Sequence, residues 1–259
     1  PLEAGVPFDF KVIEDDERIA LLTQTREAVL AQGLRGEGAT VAVETLFGLL
    51  SDFALGDAIE LAMNDGRKLK AVLADSPAAK ANLRRLLGAM APRGSQEILD
   101  AAVAERLVDG GDIARLLALG GKALANRFGG IDAHAPRPLD WIGAFLTDKD
   151  LPPANFPGKT VEKADPVLAQ RVLAEAERLA ALMVERRTAL IIERSEALLD
   201  VVALIAGKYN AHKRARSLLD FDDLVEKLGD LLENPDAGPW VQYKLDTGID
   251  HILVDESQD

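Results

Sequence analysis

The sequence predicts a mainly α protein, and three observations lead there. Apolar residues make up 48% of the chain but aromatic ones only 5%, with Ala and Leu abundant, which favours helices packed on helices over a β-sandwich. Apolar positions recur at helical spacing along most of the length, punctuated by Gly, Pro, Asp and Ser. Only two stretches read as strands, 8–13 near the start and 249–254 at the end. A chain of 259 residues holds one large domain or two ordinary ones and can bury a substantial core.

Taken in order, Phe8-Asp9-Phe10-Lys11-Val12-Ile13 alternates like a short strand. Glu14-Asp15-Asp16-Glu17 then supplies the acids of a helix N-terminus, and Ile19, Leu22, Ala28 and Val29 give that helix an apolar face ending near Gly33. Helices are expected over 41–53, 55–75, 78–90, 95–108 and 112–127, each bounded by Gly, Pro, Asp or Ser. Residues 129–166 are the least regular stretch, rich in Gly and Pro, with one compact apolar helix over 139–146 that contains Trp141 and Phe145. From Pro166 the helical pattern runs almost unbroken to Arg216, with a bend or break expected near Gly207. The segments 189–192 and 201–205 are apolar almost all round, as in a helix buried in a multi-helix core. A helix over 220–232, a turn or two over 240–245 and the final strand 249–254 complete the reading. Trp141, Phe145 and Trp240 are expected as core anchors because their neighbours are apolar.

The net charge of −13 argues against a domain that grips nucleic acid with its whole surface. Between 166 and 216, however, cations outnumber acids, so a nucleic-acid-facing stripe is best sought there. Lys208, Lys213, Arg214 and Arg216 are the first candidates, with Arg186, Arg187 and Arg194 next; a solvated helix face is the plainer alternative for each. The chain has no cysteine, which excludes disulfides and thiolate metal sites and suits a cytoplasmic location. Three scattered histidines (His134, His212, His251) argue against a His-based metal site. No apolar run approaches the ~20 residues that span a bilayer, and the start has no signal-peptide pattern. The missing initiator Met and the stop in mid-motif fit a segment of a longer chain.

The most informative residues are the last nine, His251-Ile252-Leu253-Val254-Asp255-Glu256-Ser257-Gln258-Asp259. A β-run delivering two carboxylates is the arrangement by which a parallel strand offers Asp255 to a nucleotide's Mg²⁺ and Glu256 to its attacking water. Alone the pattern is weak, since a buried strand ending in a polar turn looks the same. With its tail, Asp255-Glu256-x-Gln258-Asp259 resembles motif II of the superfamily 1 DNA helicases related to UvrD, Rep, PcrA and RecB. Leu219-Asp220-Phe221-Asp222-Asp223-Leu224 resembles an element that precedes that motif in the same family, and it follows a helix with a basic end here as there. Residues 8–22 are similar to the lead into the family's helical 1B subdomain, and the long Ala-rich acidic insertion looks most like the AddA subunit of a double-strand-break repair helicase–nuclease.

The resemblance implies a helical 1B-like subdomain over 1–217 and a return into motor domain 1A over 218–259. It further implies a parent enzyme that hydrolyses ATP with Mg²⁺ to unwind DNA, with an AddB-like partner subunit in the AddA branch and no membrane. In that parent Asp255 would ligate Mg²⁺, Glu256 would be the catalytic base, and Gln258 would link nucleotide to DNA-binding segments while Asp259 supports the motif. The glycine-rich phosphate loop G-x-x-x-x-G-K-[ST] is not in this chain. Gly158-Lys159-Thr160 supplies its last letters, but Pro152, Pro153 and Pro157 cannot belong to the buried strand that feeds such a loop. The chain is therefore expected to be inactive alone. The competing readings are an all-helical adaptor with an accidental terminal Asp-Glu and, last, a metal-dependent nuclease or phosphatase, which lacks the further ligands such sites need.

Overall fold

The computed structural model describes residues 4–64, 66–88 and 91–246. Among them are thirteen helices and two short strands, so the mainly α class read from composition is the one the chain adopts. The expected strand 249–254 and the terminal acids lie outside the described residues.

Strand β1 (Lys11–Val12) leads into α1 (Asp15–Leu34), whose first turn carries Asp15, Asp16 and Glu17 where the helix dipole favours anions. The single helix expected over 41–53 is instead α2 (Thr40–Leu49) followed by α3 (Asp52–Asn64). Leu50 is extended, and the Ser51 hydroxyl accepts the Ala54 N–H at 3.3 Å, which starts a new helix. The stretch 55–75 is the remainder of α3 and then α4 (Gly66–Ala74). Helix α5 (Ser76–Leu87) begins where the Asp75 carboxylate accepts the Ala78 N–H at 2.9 Å, with proline in the first turn. After α6 (Ser95–Ala104), the helix expected over 112–127 divides into α7 (Gly110–Leu119) and α8 (Lys122–Phe128). Gly120 between them is extended, and a Cβ there would lie 2.4 Å from the Leu124 side chain.

Helix α9 (Pro138–Phe145) matches its expectation, whereas the six-residue α10 (Lys159–Ala164) was not foreseen in the irregular stretch. Helix α11 (Pro166–Ala215) runs for 50 residues, on the order of 75 Å if straight. The Asp165 carboxylate accepts the Leu168 N–H at 3.1 Å at its start. No break occurs near Gly207. A glycine costs a helix about 1 kcal/mol, which the burial of Val201, Val202, Ile205 and Tyr209 on the flanking turns outweighs. Strand β2 (Leu218–Leu219), α12 (Phe221–Glu233) and α13 (Gly238–Asp246) follow.

The chain divides into two compact units, one of residues 75–196 and one of residues 1–74 with 197–259, so α11 contributes to both. In the first unit Leu168, Val172, Ala176, Leu179 and Met183 form one face of α11 at helical spacing and join a core with Ile98, Ala102, Ile113 and Leu116. Its aromatic centre is Phe128, Trp141, Phe145 and Phe156, with the Trp141 and Phe145 rings 4.9 Å apart and Phe128 edge-on to Phe145 at 5.0 Å. Glu175, fully buried there, accepts the Trp141 indole N–H at 2.8 Å, the Leu107 N–H at 3.0 Å and two N–H groups of Arg178.

The second unit packs Val29 of α1, Ala42, Val43 and Leu46 of α2, and Leu55 and Ile59 of α3 with Ala197, Val201, Val202 and Ile205 of α11. Helices α1 and α2 meet closely because Gly33 has no side chain: a Cβ there would stand 2.4 Å from a methyl of Val43. Strands β1 and β2 pair in parallel, Lys11 opposite Leu218 and Val12 opposite Leu219. Trp141 and Phe145 are buried as expected, but Trp240 is 57% exposed and is no core anchor. Residue Trp240 sits on α13, beside an α12 that buries none of its side chains. Tyr243 and Leu245, which follow Trp240 on the same helix, are exposed as well.

Candidate functional site

Of the described residues that sequence reasoning marked as functional, Lys213, Arg214 and Arg216 lie at one turn, where α11 ends and the chain returns through β2 into α12, with Lys208 shortly before it; Arg186, Arg187 and Arg194 lie well upstream on α11. The helix stops because Ser217 takes a left-handed backbone (φ 54), with the Arg216 N–H bonded to the Lys213 carbonyl at 3.2 Å. The backbone then pairs with β1, the Lys11 N–H reaching the Ser217 carbonyl at 2.9 Å and the Ile13 N–H reaching the Leu219 carbonyl at 2.9 Å. Asp220 opens α12 as a reciprocal cap: its carboxylate accepts the Asp223 N–H at 2.9 Å, and the Asp223 carboxylate accepts the Asp220 N–H at 3.0 Å. The Asp-Phe-x-Asp-Leu element singled out in the sequence is thus, in this structure, a helix start.

Lys213 lies inside this turn. It is 5% exposed, and its ammonium contacts the Asp220 and Asp223 carboxylates, each at 2.6 Å. It also stands 4.6 Å from the centre of the Tyr209 ring, one helical turn back. Tyr209, itself buried, donates its hydroxyl to Asp220 at 2.8 Å. Among the first candidates Lys208, Arg214 and Arg216 are exposed, whereas Lys213 is withdrawn from the surface because two acids ahead of it in the chain neutralise it. Lys208 additionally donates to the Gln32 side chain of α1. Of the secondary candidates, Arg187 is exposed and stands 3.5 Å from Asp150, while Arg186 and Arg194 are half-buried. Asp255, Glu256, Gln258 and Asp259 lie outside the described residues.

The ionisation of the turn follows from this geometry. Burial opposes the charge of Asp220, but the bonds from Lys213, the Asp223 N–H and Tyr209 outweigh it and hold the carboxyl below its ordinary value of 3.8. Burial first, then the bond to Asp220, raises Tyr209 well above its ordinary 10.0; the charge of Arg18 works the other way. The signs then differ. A depressed Asp stabilises the fold above about pH 4 and loses that contribution as the medium becomes more acid. A raised Tyr stabilises below about pH 10 and loses its contribution above it, where the unfolded phenol ionises and the folded one does not. Tyr209 is therefore expected to make wild-type stability fall with rising pH beyond 10, and Tyr209→Phe to make that fall shallower. Urea midpoints measured on both sides of this pH check it; a slope equal in the two proteins would contradict the assignment.

Sequence reasoning missed Tyr209, Asp220 and Asp223 as partners of Lys213. The four-residue spacing of Tyr209 and Lys213 and the Asp-x-x-Asp cap were legible signals. That the cap would meet the lysine depends on the reversal at Ser217. Gly158-Lys159-Thr160 forms the start of the short α10, with Gly158 at φ 110 and the lysine and threonine exposed, and no strand leads into it. Among the described residues no three His, Cys, Asp or Glu side chains stand close enough to hold a metal ion. None of the described helices is long and apolar enough to cross a membrane.

No curated protein and no solved structure matches the chain. A family model does, the UvrD/REP helicase N-terminal domain, over residues 135–259. That span takes in most of the irregular stretch, all of α11, the capped turn and the terminal Asp255-Glu256. Over residues 135–259 the chain is therefore similar to the superfamily 1 helicases of the UvrD/Rep type.

Proposed function

We propose that the chain is a segment of an ATP-dependent DNA helicase, most like the AddA branch with its AddB-like partner subunit. In this reading the helical 1B-like part is followed by a return into motor domain 1A. The observation that carries it is the family match over 135–259, which includes both the Asp220–Leu224 element and the terminal Asp-Glu-x-Gln-Asp. Two features of the fold support the reading. The parallel pairing of β1 with β2 is what the edge of a parallel α/β sheet would supply on either side of an inserted helical part. Helix α12 is strongly amphipathic yet exposes Phe221, Val225 and Leu228, as a helix does whose apolar face covers a sheet in the larger enzyme.

In the parent, Asp255 and Glu256 are oxygen donors of the kind Mg²⁺ takes, and the metal would neutralise charge on the nucleotide phosphates. Asp255 would hold the ion, Glu256 would orient and deprotonate the attacking water, Gln258 would link nucleotide to DNA-binding segments, and Asp259 would support the motif. The exposed Lys208, Arg214 and Arg216 are the DNA contacts of this segment. The 259-residue chain alone is expected to show negligible ATP turnover, because its sequence has no G-x-x-x-x-G-K-[ST] to hold the phosphates. The product of the complete reading frame should hydrolyse ATP in a DNA-stimulated manner. There Glu256→Gln should lower turnover by about 10²–10⁴-fold with nucleotide binding retained. Unaltered turnover in that variant would defeat the assignment.

A further inference from the structure

We infer that Lys213, Asp220, Asp223 and Tyr209 form a buried latch that fixes the turn from α11 through β2 into α12, and that Lys213 serves polyanion binding solely by positioning the exposed cations Lys208, Arg214 and Arg216. The second half rests on the DNA-contact reading above; the first stands on the geometry alone. An ammonium has three protons, and both carboxylates lie at 2.6 Å while the Tyr209 ring covers the remaining side at 4.6 Å. Nothing of Lys213 is left to offer a phosphate, and at 5% exposure none could reach it.

The turn needs such a fixture. Ser217 sits in the left-handed region, which L-residues other than Asn and Asp seldom hold unless the surroundings impose it. The β1–β2 ladder is two residues long on each side, too short to hold by itself. The acids are themselves immobilised, each accepting the other's backbone N–H, and Asp220 also accepts the Tyr209 hydroxyl. The latch therefore joins the last turn of α11 to the first turn of α12, across the residues that carry Arg214 and Arg216. Without it the carbonyls at the end of α11 lose their fixed setting and the two arginines fray with them.

A latch and a direct charge contact predict opposite signs. Asp223→Asn and Asp220→Asn each remove a negative charge, so if electrostatics alone mattered both would strengthen binding to DNA. Asparagine also keeps a capping side chain, so α12 retains its start. If the acids act by holding Lys213, both variants weaken duplex affinity several-fold despite the more favourable net charge. The measurement is fluorescence anisotropy of the 259-residue chain with a short mixed-sequence duplex, far-UV circular dichroism confirming the fold. A second readout is acetylation of individual lysines followed by mass spectrometry. Lys208 is expected to label readily and to be protected by DNA, and Lys213 to resist labelling until Asp223→Asn frees it. Labelling of wild-type Lys213 at the rate of Lys208, or no gain in Asp223→Asn, overturns the latch. Unchanged or tighter duplex binding in both asparagine variants overturns the positioning role. Failure of the DNA-contact reading is separate and shows as duplex affinity unaltered by Arg214→Glu with Arg216→Glu.

Discussion

Trp141→Ala is expected to destabilise the unit of residues 75–196 by about 3–5 kcal/mol, the range for truncating a buried Trp or Phe. The side chain has no exposed surface, packs 4.9 Å from the Phe145 ring and sits in the cluster with Phe128 and Phe156. Alanine would leave a cavity among rings whose positions are mutually fixed, so little collapse can fill it. The loss is also chemical, because the indole N–H is one of the donors that hold Glu175. Against a domain stability of about 5–15 kcal/mol this is a large fraction. Urea unfolding followed by far-UV circular dichroism reads it directly. Trp141→Phe separates the two parts: it retains a buried ring but removes the donor, and should cost about 1–3 kcal/mol. Equal losses in the two variants would show that the bond, not the packing, dominates.

Glu175→Ala is expected to cost a similar amount, about 3–5 kcal/mol, for a different reason. The carboxylate is fully buried and serves four donors: the Trp141 indole, the Leu107 N–H, and Nε and one Nη of Arg178. Removing it leaves a guanidinium that is only 18% exposed without its counter-charge, together with two orphaned N–H groups. The Arg178 bonds to the Ala101 and Ala102 carbonyls at the end of α6 remain but do not neutralise it. The double variant Glu175→Leu with Arg178→Met removes both charges and should be distinctly more stable than Glu175→Ala. Denaturant midpoints for the three proteins decide the matter. A double variant no better than the single one would mean that the ion pair is not the source of the loss.

The sequence made a good part of the fold legible where the signal is local. Apolar spacing located α1, α5, α9 and α11 nearly to their ends, since burial of one face fixes where a helix can run. It failed where a break is set by steric or capping detail. The division at Leu50-Ser51 comes from a hydroxyl that starts a helix, and the division at Gly120 falls at an extended glycine whose place a Cβ could not take beside the Leu124 side chain. It also placed a break at Gly207 where the buried neighbours carry the helix through. Trp240 was misjudged for the converse reason: an apolar stretch is internal only if something covers it.

At the candidate site the residue types were readable and their grouping was not. The basic end of α11 and the acidic element after it stand out in the sequence, and each carries its own expectation. Lys213 reads there as one more surface cation. Its withdrawal into the turn follows from a left-handed Ser217 and a cap that directs two acids backward, features with no one-dimensional pattern.

By itself, then, the amino-acid sequence determined the mainly helical class, the long α11 and the similarity of residues 135–259 to the UvrD/REP helicase N-terminal domain. These depend on local periodicity and on short runs of fixed chemistry, which neighbours in the chain are enough to specify. The tertiary structure alone decided which charges are spent inside and which face solvent, because ion pairing over 7 and 10 residues of separation requires the chain to fold back on itself. Folding back turned one of the four first candidate cations into an interior fastening and left Lys208, Arg214 and Arg216 at the surface.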